Sequence, residues 1–257
     1  MSDLTLDLDV DFSEYVEAIR ESLASFVHHA REAGLDADVP TAPEWTVRDL
    51  LAHQGMVHRW ATDHLEDREC DPGDYLAEGL GSADPVTWLH EGGLRLVRAL
   101  QDAPEDLETK VFLKNAPSPR LFWARRQCHE TTIHSVDALA AALGRTPSAD
   151  ETWVTRQVAL DGIDEVLTGF HTRGRSLLRS DQPFTLAVRP RDVRRAWLVR
   201  VSDEPAVVER SDGHRGHADH VLEGTAEQLY LALWNRSDEV TGEGYEFWRR
   251  TARVSWS

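Results

Sequence analysis

The spacing of apolar residues predicts helices at the start of the chain. Apolar residues over 12–30 recur at every third or fourth position and stop before Gly34, which predicts a first helix that ends at a glycine cap. Thr46 followed by Asp49 predicts the start of a second helix, because the two side chains can cap each other's backbone amides. The helical pattern then continues to Leu65. The chain is therefore expected to begin with two amphipathic helices.

Two further helices are predicted before the middle of the chain. Residues 66–84 are polar and rich in glycine, which predicts a loop, and Pro85 then opens a third helix. Three prolines interrupt 103–120, so this segment cannot be one helix, although it has room for a short strand over 111–113. The fourth helix covers 121–143. Four helices with a long third connection predict a bundle, a fold whose core can house a metal.

A second domain of mixed type is predicted beyond the turn-rich linker at 144–151. In this half, helical patterns accompany short runs in which apolar and polar residues alternate, as in half-buried strands. The predicted elements are a helix over 153–170, strands over 184–188, 196–201, 206–210 and 217–222, a helix over 226–236, and a last helix or strand within 244–256. The sequence thus predicts a mainly helical α+β protein with domains over 10–144 and 152–257.

Three residues on two of the predicted helices could hold one metal ion. Glu130 and His134 are four positions apart, so their side chains share one face of the fourth helix, about 6 Å apart at Cβ. His53 falls on the buried stripe of the second helix, where it is either a core histidine or a further ligand. One carboxylate and two imidazoles, with a fourth position open, form the ligand set of a catalytic zinc site.

Other candidate metal or nucleophilic residues have weaker support. His129 precedes Glu130, but a zinc-protease motif would need a second histidine at the position of Ile133. The histidine-rich segment 212–220 is either a rival metal site or a solvated loop. Cys128 is close to the predicted ligands in sequence, yet consecutive helix positions point about 100° apart, so we expect neither a ligand nor a nucleophile there.

Charge and cysteine content argue against several classes of function. The net charge is −17 at pH 7, which disfavours binding to nucleic acid and to anionic membranes. The two cysteines, Cys70 and Cys128, form no C-x-x-C pair, and we find neither a leader pattern nor an apolar run of membrane length. We therefore expect a cytoplasmic protein with reduced thiols and no nucleic-acid or membrane partner. The sequence does not determine the oligomeric state, for which we favour a monomer.

Five phrases in the sequence occur in a combination that is far more specific than any one of them. They are Trp45-Thr-Val-Arg-Asp-Leu-Leu-Ala-His53, Val57-His-Arg-Trp60, Phe122-Trp-Ala-Arg-Arg-Gln-Cys-His-Glu-Thr-Thr-Ile-His-Ser-Val-Asp137, Asp161-Gly-Ile-Asp-Glu-Val166 and Gly224-Thr-Ala-Glu-Gln-Leu-Tyr-Leu-Ala-Leu-Trp-Asn-Arg236. Together they resemble the mycothiol-dependent maleylpyruvate isomerase family, a branch of the DinB-like metalloenzymes. The resemblance implies a DinB-like four-helix bundle followed by a small C-terminal α+β domain.

The same resemblance implies a site and a chemistry. The zinc ligands of the family would fall on His53, Glu130 and His134, and its C-terminal active-site arginine would fall on Arg236. The implied cosubstrate is a low-molecular-weight thiol, mycothiol, which Zn²⁺ would hold as thiolate although a free thiol of pKa about 8.5 is mostly protonated. The thiolate would attack an electrophilic carbon. Release of the adduct gives S-transfer, whereas rotation and expulsion of the thiol give cis-trans isomerisation.

Secondary roles and rival functions stay open at this point. Arg126, together with Arg125, could bind a carboxylate of cofactor or substrate, or could lie on a solvated helix face. Asp137 could orient a ligand imidazole or lie on the surface. The chain could also be a metal-binding or small-molecule-binding module without turnover, or a zinc-assisted hydrolase with Asp137 or His129 as its base.

Overall fold

The computed structural model describes residues 10–69, 71–113, 116–212 and 216–252. These residues form a mainly helical α+β fold, which confirms the predicted class, and they divide into two compact units. The N-terminal unit comprises Asp11–Phe112 and Ala116–Pro147. The C-terminal unit comprises the chain from Ser148 onward together with Val10 and Leu113.

The N-terminal unit is built from five helices. They are α1 (Phe12–Ala33), α2 (Val47–Leu65), α3 (Pro72–Gly81), α4 (Pro85–Asp102) and α5 (Pro119–Leu143). All four predicted helices are confirmed, as α1, α2, α4 and α5. The predicted start of α2 is also confirmed, because Asp49 Oδ2 accepts the backbone N–H of Thr46 at 2.9 Å and the hydroxyl of Thr46 caps the N–H of Asp49.

The loop predicted over 66–84 is wrong, because the segment contains α3. Asp71 caps this helix by accepting the backbone N–H of Gly73 at 2.8 Å. Pro72 occupies the first helical position, where its missing N–H needs no partner. The short strand allowed over 111–113 is not formed.

The core of the N-terminal unit lies between its long helices. Its buried apolar side chains include Leu23, Phe26, Leu50, Leu51, Leu89 and Ala138. The helix α5 is buried along most of its length and on nearly every side, so its polar residues lie inside the unit and not in water. Buried polar groups need partners, and those partners define the site described below.

After a short 3-10 helix (Ala149–Glu151), the C-terminal unit combines four longer helical segments with a small sheet. Its elements are α6 (Arg156–Asp164), a π-helical segment (Glu165–Phe170), β1 (Phe184–Pro190), β2 (Ala196–Val201), β3 (Val207–Ser211), β4 (His220–Gly224), α7 (Ala226–Leu233) and α8 (Glu243–Thr251). All four predicted strands are found, and the last of them begins three residues later than expected. The predicted helix over 153–170 is found in two parts, α6 and the π-helical segment. The tail, for which helix or strand was expected, folds as α8.

The sheet has the strand order β3-β2-β1-β4. Its first three strands are antiparallel neighbours, with Leu186 opposite Val199, and β4 lies parallel to β1 with His220 opposite Leu186. Thr225 caps α7 directly after β4, as its spacing from Gln228 predicts. Across the described part of the chain, no helix has both the length and the apolar composition required to cross a bilayer.

Candidate metal centre

The structure brings the three predicted ligands together inside the N-terminal unit. His53 lies on α2, and Glu130 and His134 lie on α5, each with less than a tenth of its surface exposed. The Nε2 atoms of His134 and His53 lie 3.4 and 3.6 Å from Oε1 of Glu130. One ligand atom from each residue lies within 4.8 Å of the other two. These residues could therefore bind a single ion.

The donor atoms fit a divalent metal in both chemistry and spacing. Two donors on a tetrahedral zinc ion are about 3.3 Å apart, given metal–ligand bonds of about 2 Å. The separations of 3.4 and 3.6 Å from Glu130 Oε1 are close to that value. This oxygen is buried and accepts no hydrogen bond from the described residues, as expected of an atom that has a ligand role.

Asp137 supports the site from the next turn of α5. Its Oδ2 lies 2.9 Å from Nδ1 of His134, and its Oδ1 accepts the hydroxyl of Thr41 at 2.5 Å. The side chain is fully buried, so the surface alternative for Asp137 is wrong. A carboxylate that accepts a hydrogen bond from one imidazole nitrogen leaves the other nitrogen available to bind a metal.

Arg126 supports the carboxylate from the preceding turn. Its Nη2 donates to Oε2 of Glu130 at 2.8 Å, and only 1% of its surface is exposed. The solvated helix face considered for this residue is therefore wrong. The neighbouring Arg125 is only partly buried. With Oε2 bonded to Arg126, Glu130 presents Oε1 to the two imidazoles.

The charges of the three residues are strongly coupled. Burial alone raises the pKa of Glu130, but the facing imidazoles of His134 and His53 and the Arg126 guanidinium hold it well below its usual value. Burial lowers the pKa of His134, yet Asp137 and Glu130 outweigh that effect and raise it. For His53 the burial effect dominates and the pKa is lowered. A metal would therefore meet an ionised carboxylate and would compete with a proton for the imidazole of His134.

An aromatic ring covers both imidazoles. The ring of Trp45 lies 4.8 Å from that of His53 and 5.8 Å from that of His134, measured between centroids. The two imidazoles themselves are 4.9 Å apart and nearly perpendicular. Trp45 ends the loop before α2, so that loop helps to fix both histidines.

A second buried polar cluster lies beside the ligands and joins the same two helices. Nε2 of His58 on α2 lies 2.9 Å from the hydroxyl of Thr131 on α5 and 2.8 Å from Nε2 of Gln54. Gln54 follows His53 in the chain, and Thr131 follows Glu130. Burial, with a smaller effect of the Arg59 charge, lowers the pKa of His58 to about 3, so the cluster is neutral at physiological pH.

The rival candidates from the sequence are not brought into comparable sites. Cys128 and His129 are fully buried on α5, and neither belongs to a possible metal group of the described residues. In the histidine-rich segment, His217 and His220 likewise belong to no such group, and His214 lies outside the described residues. Cys70 also lies outside them.

Sequence comparison assigns both halves of the chain to known domain families. Residues 16–139 match the family described as the mycothiol maleylpyruvate isomerase N-terminal domain, and residues 157–245 match the corresponding C-terminal domain. The chain belongs to the mycothiol-dependent maleylpyruvate isomerase family. This confirms the assignment predicted from the sequence phrases, and it makes the chain a member of an enzyme family. No curated protein matches the sequence at a significant level.

Two solved structures of the maleylpyruvate isomerase family share the fold. A crystal structure of the mycothiol-dependent maleylpyruvate isomerase superposes with a TM-score of 0.61 at 16% identity, covering 91% of this chain and 93% of that chain. A mutant of that enzyme, with one histidine replaced by alanine, gives a TM-score of 0.63 at 15% identity with the same coverage. At this identity the likeness establishes the fold.

The arginine to which the family resemblance assigns an active-site role lies in the C-terminal unit. Arg236 follows α7, where its backbone N–H donates to the carbonyl of Leu231 at 2.7 Å and its Nη1 donates to the carbonyl of Trp234 at 2.8 Å. The preceding Asn235 has a φ of 60°, a left-handed conformation that turns the chain sharply after the helix. The role of Arg236 stays a prediction.

Proposed function

We propose that this chain is a zinc-dependent enzyme that activates a low-molecular-weight thiol, mycothiol, for addition to an electrophilic small molecule. The outcome is S-transfer or a cis-trans isomerisation of the maleylpyruvate isomerase type. Membership of the family supports the proposal, as does the name of the enzyme whose two crystal structures share its fold. The single observation that carries it is the convergence of His53, Glu130 and His134 in a buried site.

In this proposal each side chain has a defined task. His53, Glu130 and His134 would hold Zn²⁺ and leave a fourth position open. Zinc held by these three residues would lower the pKa of a thiol bound at the fourth position and so would supply a thiolate at neutral pH. Asp137 keeps a proton on Nδ1 of His134, and Arg126 keeps Glu130 ionised and oriented.

The proposed contacts to the organic molecules involve arginine. Arg236 would bind a carboxylate of the substrate, since a guanidinium can donate two parallel hydrogen bonds to one carboxylate. Arg126 was predicted to bind a carboxylate of the cofactor, and that role also stays a prediction, because the contact the structure shows is with Glu130. The proposed partners are thus two small molecules, and the proposed setting is a monomer in the cytoplasm.

The first experiment tests the metal. Protein purified without a histidine tag and passed through a weak chelator is analysed for bound elements, alongside His53→Ala, Glu130→Ala and the exposed control His90→Ala. We expect about one zinc per chain in the wild type and in the control, and none in the two ligand variants. Absence of stoichiometric metal from freshly prepared wild type would overturn the proposal.

The second experiment tests the reaction. Zinc-loaded protein is incubated with mycothiol and maleylpyruvate, and the substrate, the free thiol and any adduct are followed by NMR. Thiol-dependent isomerisation supports the isomerase outcome, and accumulation of a thioether on other electrophiles supports S-transfer. Turnover that does not depend on the thiol would favour hydrolysis. A zinc-loaded chain that neither isomerises maleylpyruvate nor consumes thiol with a panel of electrophiles would be a binding module.

A further inference from the structure

A second group of possible metal ligands lies on the surface of the N-terminal unit, in the last two turns of α1. Nδ1 of His29 lies 3.6 Å from Oε2 of Glu32, and Nε2 of His28 lies 3.9 Å from the same oxygen. The two imidazole rings are 4.9 Å apart between centroids. One donor atom from each of the three residues lies within 4.8 Å of the other two. Two imidazoles and one carboxylate therefore meet at one point of the helix surface.

Helix geometry produces this convergence. Residues three or four positions apart are neighbours on a helix surface, so Glu32 lies below both histidines. The side chain of His29 is 18% exposed and is held by its surroundings, whereas those of His28 and Glu32 are 73% and 60% exposed. Small rotations of the two exposed side chains would bring all three donors to the spacing of about 3.3 Å found around tetrahedral zinc. Water can complete the coordination from the open side.

The electrostatic setting also favours a cation. The group lies near the C-terminus of α1, which ends at Ala33, and the carbonyl end of a helix carries partial negative charge. The chain as a whole has a net charge of −17. The two imidazole donors suit Zn²⁺, Ni²⁺ and Cu²⁺ rather than Mg²⁺ or Ca²⁺.

We propose that His28, His29 and Glu32 form a second, solvent-exposed site for a divalent transition metal. It shares no residue with the buried site and does not depend on the proposed function. Because two of its three ligands are largely exposed to solvent, it binds more weakly and exchanges faster than the buried site. At raised metal concentration the chain therefore takes up more than one ion.

The test is a calorimetric titration of metal-stripped, untagged full-length chain with Zn²⁺ in a buffer that does not bind metals. We expect two events, a tight one and a weaker one, with about two ions bound in total. A combined His28→Ala and Glu32→Ala variant should lose the weaker event alone, and His53→Ala should lose the tight event alone. His90→Ala, which removes an exposed histidine from α4, should lose neither.

Each outcome decides the proposal. A wild-type titration without a weaker event would overturn it, and so would a weaker event that survives in the combined α1 variant while circular dichroism shows the variant folded. If the tight event is missing and the weaker one is present, the proposed function fails and the surface site stands.

Discussion

Asp137 Oδ2 lies 2.9 Å from Nδ1 of His134, and this hydrogen bond determines which imidazole nitrogen faces Glu130. A carboxylate can only accept, so Nδ1 carries a proton and Nε2 is the nitrogen that lies towards Oε1 of Glu130, 3.4 Å away. Thr41 donates to the other oxygen of Asp137 and fixes the carboxylate in turn. A chain of three residues thus sets the orientation of one predicted ligand.

Replacing Asp137 with asparagine should weaken zinc binding. The amide nitrogen can be placed opposite Nδ1 and favours the wrong tautomer of His134, and loss of such a supporting carboxylate typically lowers metal affinity about 10- to 100-fold. Competition with a chromogenic chelator measures the effect. Asp102→Asn, an exposed change at the end of α4, is the control. Equal zinc affinities in Asp137→Asn and wild type would show that the hydrogen bond does not orient the ligand.

Replacing Arg126 with methionine should destabilise the metal-free chain. The change leaves the carboxylate of Glu130 buried without its cationic partner, and breaking a buried ion pair in this way costs about 3–5 kcal/mol. The free energy of unfolding in urea, measured without and with zinc, tests this, and zinc should offset part of the loss. Arg125→Met, one position away and only partly buried, should have a smaller effect. Similar losses for both variants would contradict the role assigned to Arg126.

Two glycines provide a matched test of packing around Trp88. A Cβ at Gly55 on α2 would lie 2.1 Å from Cζ3 of Trp88, whereas a Cβ at Gly81 on α3 would have no neighbour within 4 Å. Gly55→Ala should therefore lower the free energy of unfolding by about 1–3 kcal/mol, the usual range for an overpacked core. Gly81→Ala should raise it by about 0.5 kcal/mol, because alanine favours helix. Denaturant titrations of both variants measure the difference, and a tolerated Gly55→Ala would mean that the Trp88 indole can move aside.

Stability should fall in acid because of His171 in the C-terminal unit. Burial, with a smaller effect of the Arg173 charge, lowers its pKa to about 3, whereas an unfolded histidine has a pKa near 6.5. Between these values the unfolded state binds the extra proton, so the stability that His171 contributes is present above pH 6.5 and is lost as the pH falls. From pH 7 to pH 5 the loss is about 2 kcal/mol.

The variant His171→Gln should lack this part of the pH dependence. Urea unfolding at pH 7 and pH 5 measures it, with the exposed His90→Gln as a control that should keep the wild-type slope. An unchanged slope in His171→Gln would place the proton-linked loss elsewhere, with His58 the next residue to test, since its pKa is also lowered to about 3.

His53, Glu130 and His134 could be predicted from the sequence because helical periodicity is a local property of the chain. Glu130 and His134 share a face of α5 by spacing alone, and His53 was placed on the buried stripe of α2 by its apolar neighbours. Spacing could not decide whether His53 faced the carboxylate or another part of the core. The family resemblance predicted that it did, and the folded chain brings the three residues together.

What the sequence did not reveal depends on contacts between distant segments or on signals that point in opposite directions. Thr41 lies in a loop without periodicity, so its bond to Asp137 could not be foreseen. Helical spacing allows a contact between Arg126 and Glu130, four positions apart, but spacing alone does not exclude a solvated face for Arg126. In α3 the glycines argued for a loop, while the Asp71-Pro72 start argued for a helix and proved decisive.

His53 and Glu130 lie on different helices and far apart in the chain. They are separated by 77 positions, as are their neighbours Gln54 and Thr131. An ion bound to both His53 and Glu130 would cross-link the chain and close a loop of that length, as a disulfide does. Cross-linking a loop of this size removes about 4.5 kcal/mol of unfolded-chain entropy in the simplest polymer estimate. The ion would then stabilise the bundle as a reversible cross-link. The melting temperature should therefore rise with zinc concentration, and a chelator should lower it.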